Sequence, residues 1–334
     1  MRKILLVLLV LVGVLILGYM LGPAPSTPLY DKKLHPVPAA AATLESFVRS
    51  NESKHKLKPD NQARIIWNND SAKAKTPYSI VYLHGFSASQ AEGDPIHKNI
   101  ARDFGCNLYL SRLAEHGIDT TESMMNLTAD KYWESAKEAL EIGKQLGEKV
   151  ILLGTSTGGT NAIQLAAAYP DQVAALILLS PNIAINDPSA FLLNNPWGLQ
   201  IAKTIIGSPY ITSQDKRPIN MQYWDTHYRL EAAVALQELL ETSMTRENFE
   251  KITMPTLLLY YYKDEIRQDS TVKVSAMKEM FDEISTPAAQ KKQVAMPNAG
   301  THVIGSYIRS NDVAGVQKQI EDFFQTTLGL KKVQ

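Results

Sequence analysis

Seven short apolar runs recur between residues 63 and 296, and they limit the folds that this chain can adopt. Most are rich in Val, Ile, Leu and Tyr and do not alternate with polar residues, which is typical of strands covered on both faces. Helical patterns lie between several of them. Such alternation predicts an α/β fold with a mostly parallel central sheet and helices on both faces. The runs are ARIIW (63–67), SIVYLHG (79–85), NLYLS (107–111), KVILLG (149–154), VAALILLS (173–180), TLLLYYY (256–262) and KQVAM (292–296).

The interval from residue 182 to residue 250 breaks this rhythm because it holds no convincing strand. Its two longest apolar patterns are helical. The sequence therefore predicts a mainly helical insertion, a cap, between two strands of a domain that covers residues 44–334.

The first 22 residues predict a membrane segment. Arg2 and Lys3 precede an uncharged apolar run from Ile4 to Leu21, close to the length of about 20 residues that a spanning helix needs. We expect a signal-anchor that leaves the basic residues in the cytoplasm and exports the rest of the chain. A cleaved signal peptide and a secreted domain are the alternative. The proline-rich residues 23–43 predict an extended linker.

Composition argues against several classes of protein. Lys plus Arg and Asp plus Glu both total 34, so the net charge is zero, without the basic excess of a nucleic-acid-binding protein. The single cysteine, Cys106, excludes an intrachain disulfide and a thiol-rich zinc site. We therefore expect no nucleic-acid partner and no metal.

A serine follows the fourth apolar run in the pattern G-x-S-x-G, with Gly154, Ser156 and Gly158. An apolar helical pattern follows directly. A nucleophile at such a strand-to-helix turn has a strained backbone, and side chains two positions to either side would collide. The context therefore predicts that Ser156 is a nucleophile, with a glycine-rich structural turn as the plainer alternative.

A serine nucleophile needs a histidine base and an acid that orients the histidine. In a sheet of this kind the acid follows the serine along the chain, and the histidine follows the acid. His302 is the histidine that lies far enough downstream. Three carboxylates follow the strand TLLLYYY: Asp264, Glu265 and Asp269. We expect Asp264, the first of them, to orient His302. Asp269 is an alternative that could instead cap the next helix.

The developing oxyanion needs two backbone N–H donors. One is expected from Thr157, directly after the nucleophile, and the other from Phe86, directly after the His-Gly pair of an early strand. Trp197, Tyr223 and Trp224 in the predicted cap are candidates to line an acyl pocket, although packing of the cap is an equally good explanation.

Together, HGFSAS, SRLAEHG, GTSTGG, KDE and GTH resemble, in order and spacing, the α/β-hydrolase superfamily. The chain is most similar to its carboxylesterase and monoacylglycerol-lipase-like branch, which is also described as serine aminopeptidase-like. Glu115 departs from that branch, which usually has glycine there.

The resemblance implies a serine hydrolase that cleaves small-molecule or lipid carboxylic esters through an acyl-serine intermediate, without any cofactor. A peptidase or acyltransferase on the same residues, or a non-catalytic binding protein, are the alternatives.

Overall fold

The central element is a seven-stranded sheet in a computed structural model that describes residues 2–333; Met1 and Gln334, at the ends of the predicted first and last segments, lie outside it. The strands of the chain are β1 (Arg64–Ile66), β2 (Thr76–Leu83), β3 (Asn107–Leu110), β4 (Gly147–Thr155), β5 (Val173–Leu179), β6 (Tyr210–Thr212), β7 (His227–Arg229), β8 (Thr256–Tyr260) and β9 (Lys291–Ala295). The sheet has the order β1–β3–β2–β4–β5–β8–β9, and β6 pairs only with β7.

Eleven α-helices accompany these strands within residues 2–333. They are α1 (Arg2–Met20), α2 (Ala41–Glu52), α3 (Ile96–Asp103), α4 (Ala129–Leu146), α5 (Thr157–Ala168), α6 (Gly198–Ile206), α7 (Pro218–Tyr223), α8 (Leu230–Ser243), α9 (Arg246–Phe249), α10 (Val274–Glu283) and α11 (Val313–Thr326).

All neighbours in the sheet are parallel except β1, which runs antiparallel to β3. Each parallel step from β2 to β9 therefore needs a crossover, and helices supply it. The seven predicted runs all become strands of this sheet. The α/β fold with helices on both faces is confirmed.

Successive residues of a central strand are buried on opposite faces of the sheet. In β2, Val81 and Leu83 belong to the apolar core that contains α4 and α5, whereas Ile80 and Tyr82 belong to the core that contains α3 and α11. All four side chains are fully buried. This two-sided burial explains why the runs are continuously apolar. It also brings the carboxyl ends of the parallel strands to one edge, where chemistry is usually placed.

The insertion between β5 and β8 contains α6, α7, α8 and α9. It also contains the antiparallel pair β6–β7, which corrects the expectation of no strand in residues 182–250. Each of these strands has three residues, too few for a period-two pattern to be visible in the sequence.

The apolar helix α1 lies outside the core, and it is the one helix among residues 2–333 that is long and apolar enough to cross a membrane. The segment that follows it is irregular but attached to the domain. Trp133 Nε1 donates to the Asp31 carbonyl at 2.7 Å, and the Tyr169 hydroxyl donates to the Lys32 carbonyl at 2.9 Å. The predicted linker is therefore bound along α4 and α5 for part of its length.

Candidate active site

Ser156 lies on the turn between β4 and α5, and its backbone is strained. Its φ is +52° and its ψ is −122°, in a region that residues with a side chain rarely adopt. Its N–H donates to the Leu179 carbonyl of β5 at 2.9 Å, and its carbonyl accepts from Asn182 N–H at 3.0 Å. Neighbouring elements thus hold the strained turn on both sides. The Ser156 side chain remains at the carboxyl end of the central strand.

The glycines around Ser156 are required by close backbone approach. A β-carbon on Gly154 would lie 2.5 Å from the Gly158 carbonyl oxygen. One on Gly158 would overlap the Leu83 carbonyl oxygen of the neighbouring strand. Both separations are well inside van der Waals contact, so any larger residue would open the turn. This is the steric pattern that predicted a nucleophile-bearing elbow.

His302 lies on the loop between β9 and α11 and is paired with a buried carboxylate. Its Nδ1 lies 2.6 Å from Oδ2 of Asp269, and the Asp269 side chain is fully buried. Oδ1 of Asp269 accepts from the backbone N–H groups of Thr271 at 2.8 Å and Val272 at 3.1 Å. Because Nδ1 carries the hydrogen in this bond, Nε2 of the neutral ring is the basic nitrogen. This Nε2 is buried and has no hydrogen-bond partner among residues 2–333.

The carboxylate on His302 corrects the expectation of Asp264. After β8 the chain forms a tight reversal, in which Tyr262 pairs with Gln268. Asp264 lies at its exposed tip and binds Arg267, which lowers the pKa of Asp264 to about 2. Asp269 lies where the chain returns, and its N–H donates to the Tyr261 carbonyl at 3.1 Å. The first carboxylate in sequence is therefore the more distant one in space.

The His302 loop and the Ser156 turn meet through the segment after β2. Ser306 Oγ donates to the Ala91 carbonyl at 2.7 Å, and Tyr307 N–H donates to the Asp94 carbonyl at 3.0 Å. In the same segment, a β-carbon on Gly85 would lie 2.9 Å from Cβ of Ser156. A single continuous stretch thus contacts both the serine and the histidine loop.

Two backbone N–H groups are available beside Ser156. The N–H of Thr157 belongs to the first residue of α5, and that of Phe86 to the loop after β2. Neither donates to another group among residues 2–333. The first turn of a helix also contributes a partial positive charge. The arrangement can therefore stabilise a negative oxygen bound next to Ser156.

His84 fixes the peptide that carries the Phe86 N–H. Its Nδ1 lies 2.9 Å from the Gly85 carbonyl oxygen, and its Nε2 accepts from Leu113 N–H at 3.0 Å. These partners require the tautomer with hydrogen on Nδ1. Burial, together with the nearby His116, lowers the pKa of His84 to about 3, so the ring stays neutral. The sequence places His84 in the His-Gly pair before Phe86 but does not reveal this bond.

The three aromatic residues of the predicted pocket lie in two places. Trp224 is buried in a small apolar cluster with Ala88 of the loop after β2 and Val303 of the loop that carries His302. Tyr223 packs against the same cluster, and its hydroxyl donates to Asp60 at 2.9 Å. Trp197 instead donates its indole N–H to the Gly18 carbonyl of α1 at 2.9 Å. The structure does not bring Trp197 to the candidate site, which corrects its predicted position in the pocket lining.

Glu115, which replaces the glycine usual in the related branch, keeps the conformation of a glycine. Its φ is +67°, and its side chain pairs with Lys131 at 3.1 Å. The turn is therefore preserved, at a backbone cost of about 1 kcal/mol.

Among residues 2–333, no group of three or more His, Cys, Asp or Glu side chains is placed to hold a metal ion.

The parallel sheet, the serine elbow after β4 and the later acid and histidine loops together define an α/β-hydrolase. The chain belongs to the family described as serine aminopeptidase, S33, because the family model matches residues 116–304, more than half of its 334 residues. The expected superfamily and branch are thereby confirmed.

Comparison with known proteins agrees with this assignment. The chain is 28% identical, over 202 residues, to a monoglyceride lipase homolog of monkeypox virus, covering 57% of this chain and 72% of the relative. Its fold matches that of LipS and LipT, described as metagenome-derived lipolytic enzymes, with a TM-score of 0.63 at 15% identity, covering 81% of this chain and 99% of the other. It also matches a monoacylglycerol lipase of Paleococcus ferrophilus, with a TM-score of 0.57 at 16% identity, covering 78% and 96%. The chain is thus an α/β-hydrolase similar to lipases and esterases.

Proposed function

We propose that the protein is a serine hydrolase of carboxylic esters, with Ser156 as nucleophile, His302 as base and Asp269 as the residue that orients His302. The proposal rests on the surroundings of Ser156 and of His302. Ser156 is held strained at a strand end, and the segment after β2 joins its turn to the loop that carries His302, whose Nδ1 is fixed by a buried carboxylate. The Nε2 atom, which is unbonded among residues 2–333, leaves His302 with a free acceptor for a proton.

The reaction follows from these positions. Nε2 of His302 takes the Ser156 hydroxyl proton while Oγ attacks the ester carbonyl carbon. The N–H groups of Phe86 and Thr157 bind the oxygen that becomes negative. His302 then gives its proton to the leaving alcohol, which leaves an acyl-serine. A water molecule, activated by His302, attacks this acyl group and releases the carboxylic acid and free Ser156.

Asp269 contributes by holding the imidazolium. Burial alone would lower the pKa of His302, but the charge of Asp269 and its hydrogen bond outweigh burial, so the pKa of His302 is raised. The imidazolium that forms when Ser156 attacks is therefore stabilised relative to the same ring without a partner.

We further propose that the substrates are lipid acyl esters and that α1 holds the enzyme at a membrane, with the catalytic domain exported. The relatives named as monoglyceride and monoacylglycerol lipases support this substrate class. So does the cap: the exposed side chains of Trp197, directly before α6, and of Ile201 and Ile205 on α6 form one apolar surface with α1. A cap surface beside a membrane helix would face acyl chains. Secretion after cleavage of α1 is the alternative.

Full-length protein in detergent micelles tests the proposal. It should hydrolyse monoacylglycerols and p-nitrophenyl esters, and Ser156→Ala should abolish turnover. Ser180→Ala is a matched control, because Ser180 is also a buried serine of positive φ at the end of the neighbouring strand. Hydrolysis of aminoacyl p-nitroanilides in place of the esters would favour a peptidase. A folded protein that hydrolyses neither substrate class would contradict the proposal.

A further inference from the structure

A second carboxyl group, that of Glu92, lies beside Ser156 and has no part in the mechanism above. Glu92 belongs to a short 3-10 turn, Gln90–Gly93, and is only 2% exposed. Its Oε2 accepts from the Gly85 N–H at 2.5 Å. A β-carbon on Gly85 would lie 2.8 Å from both carboxyl oxygens of Glu92 and 2.9 Å from Cβ of Ser156. The carboxyl group and the nucleophile thus approach the same glycine.

Gly85 is therefore held at both of its peptide groups. Glu92 binds the N–H of the peptide before it, and His84 Nδ1 binds the carbonyl oxygen of the peptide after it, at 2.9 Å. That second peptide carries the Phe86 N–H. A glycine has no side chain to restrict its dihedral angles, so these two hydrogen bonds, together with a longer one from Ala88 N–H to the Gly85 carbonyl at 3.3 Å, set the direction of the next N–H.

We propose that Glu92 is a positioning residue: by accepting the Gly85 N–H, it holds the Phe86 N–H in the direction from which that group stabilises the oxyanion. This inference rests on the proposed ester hydrolysis. The Gly85 N–H needs a hydrogen-bond acceptor at the position of Oε2. Any side chain that places an acceptor there fulfils this role, whatever its charge.

Apart from its hydrogen bond to Gly85, Glu92 acts through its charge, which affects the pKa of His302. Burial raises the pKa of Glu92 to about 7, against the opposing effects of the Gly85 hydrogen bond, His302 and Arg309. Tyr82 and Tyr132 also lie within the electrostatic reach of Glu92. An ionised Glu92 in turn raises the pKa of His302. Substitutions of Glu92 can therefore separate the hydrogen bond to Gly85 from the effect of the carboxylate charge.

Two substitutions in the full-length protein separate the two roles. Glu92→Gln keeps an acceptor at the same reach and removes the charge. Glu92→Asp keeps the charge and withdraws the acceptor from Gly85. Glu141→Gln is the matched control, because Glu141 is also buried but lies on α4 and pairs with Lys144. The readouts are kcat and KM for a p-nitrophenyl ester, the pH profile of kcat/KM, and the melting temperature.

Glu92→Gln should keep kcat within about 3-fold of the wild-type value. The acidic limb of its pH profile of kcat/KM should move to lower pH, because the imidazolium of His302 loses a nearby negative charge. Glu92→Asp should lower kcat by about 10- to 100-fold with KM within about 2-fold, part of the effect of losing one oxyanion donor. Unchanged kcat in Glu92→Asp, equal losses in both variants, or a loss confined to Glu92→Gln would overturn the inference. An inactive wild-type protein would instead refute the proposed function.

Discussion

The serine turn and the acid loop lie at the same edge of the sheet but are built in opposite ways. The serine turn compresses a strand end and a helix start into residues 154–158, and contacts between backbone atoms dictate its residues. The acid loop leaves β8, reverses through residues 262–268 and returns before Asp269 binds His302. Local sterics thus specify the first site, whereas a chain reversal selects the residue used in the second.

The largest difference between the two regions is expected when Asp269 and Asp264 are each replaced by asparagine. Asp269→Asn should reduce kcat by about 10³- to 10⁴-fold, because an amide neither stabilises the imidazolium nor fixes the tautomer. Asp264→Asn removes the same charge from the exposed tip of the same loop and should change kcat by less than about 2-fold. Steady-state kinetics on a soluble ester measures both. A large loss in Asp264→Asn with little loss in Asp269→Asn would reverse the assignment.

Gly158→Ala tests whether sterics specify the serine turn. Its β-carbon would overlap the Leu83 carbonyl, so unfolding should become easier by about 3 kcal/mol, with lost activity. Gly207→Ala is the comparison: its φ is +70°, but nothing lies within 4 Å of the added β-carbon. It should cost only about 1 kcal/mol. Denaturant midpoints measure both, and equal costs would show that the collision with the Leu83 carbonyl does not select Gly158.

The pH dependence of activity tests the pairing of Asp269 with His302. His302 acts as a base only when neutral, and its pKa is raised above the ordinary value of about 6.5. The acidic limb of kcat/KM should therefore lie above pH 6.5, with activity gained as pH rises through it. The residual activity of Asp269→Asn should show a limb at lower pH. An unmoved limb would assign it to another group.

The same shift predicts how stability depends on pH. A raised folded-state pKa means that the His302–Asp269 pair contributes its full stabilisation below about pH 6.5 and loses it as pH rises through the folded-state pKa. The melting-temperature gap between wild type and Asp269→Asn should therefore narrow from pH 6 to pH 9. A constant gap would mean that the pair does not change its charge in this range.

The difference between the serine turn, which local sterics specify, and the acid loop, which depends on a chain reversal, explains what the sequence could predict. Continuous apolar runs indicated the five inner strands of the sheet, because burial on both faces leaves that pattern, whereas the edge strands β1 and β9 are only half-buried. Glycine spacing indicated Ser156 for a similarly local reason. Neither kind of signal distinguishes Asp264 from Asp269, because the choice depends on a reversal between Tyr262 and Gln268. The role of Glu92 was missed because its burial depends on packing against Gly85 and the His302 loop, which no residue near it in sequence reveals.

Covalent labelling shows directly whether Ser156 is the activated nucleophile. Full-length protein in detergent would be incubated with a fluorophosphonate, digested, and mapped by peptide mass spectrometry, with His302→Ala as a parallel sample. We expect a single adduct on Ser156 in the wild-type protein and a strongly slowed reaction in His302→Ala. An adduct on another serine, or no adduct on folded protein, would contradict it.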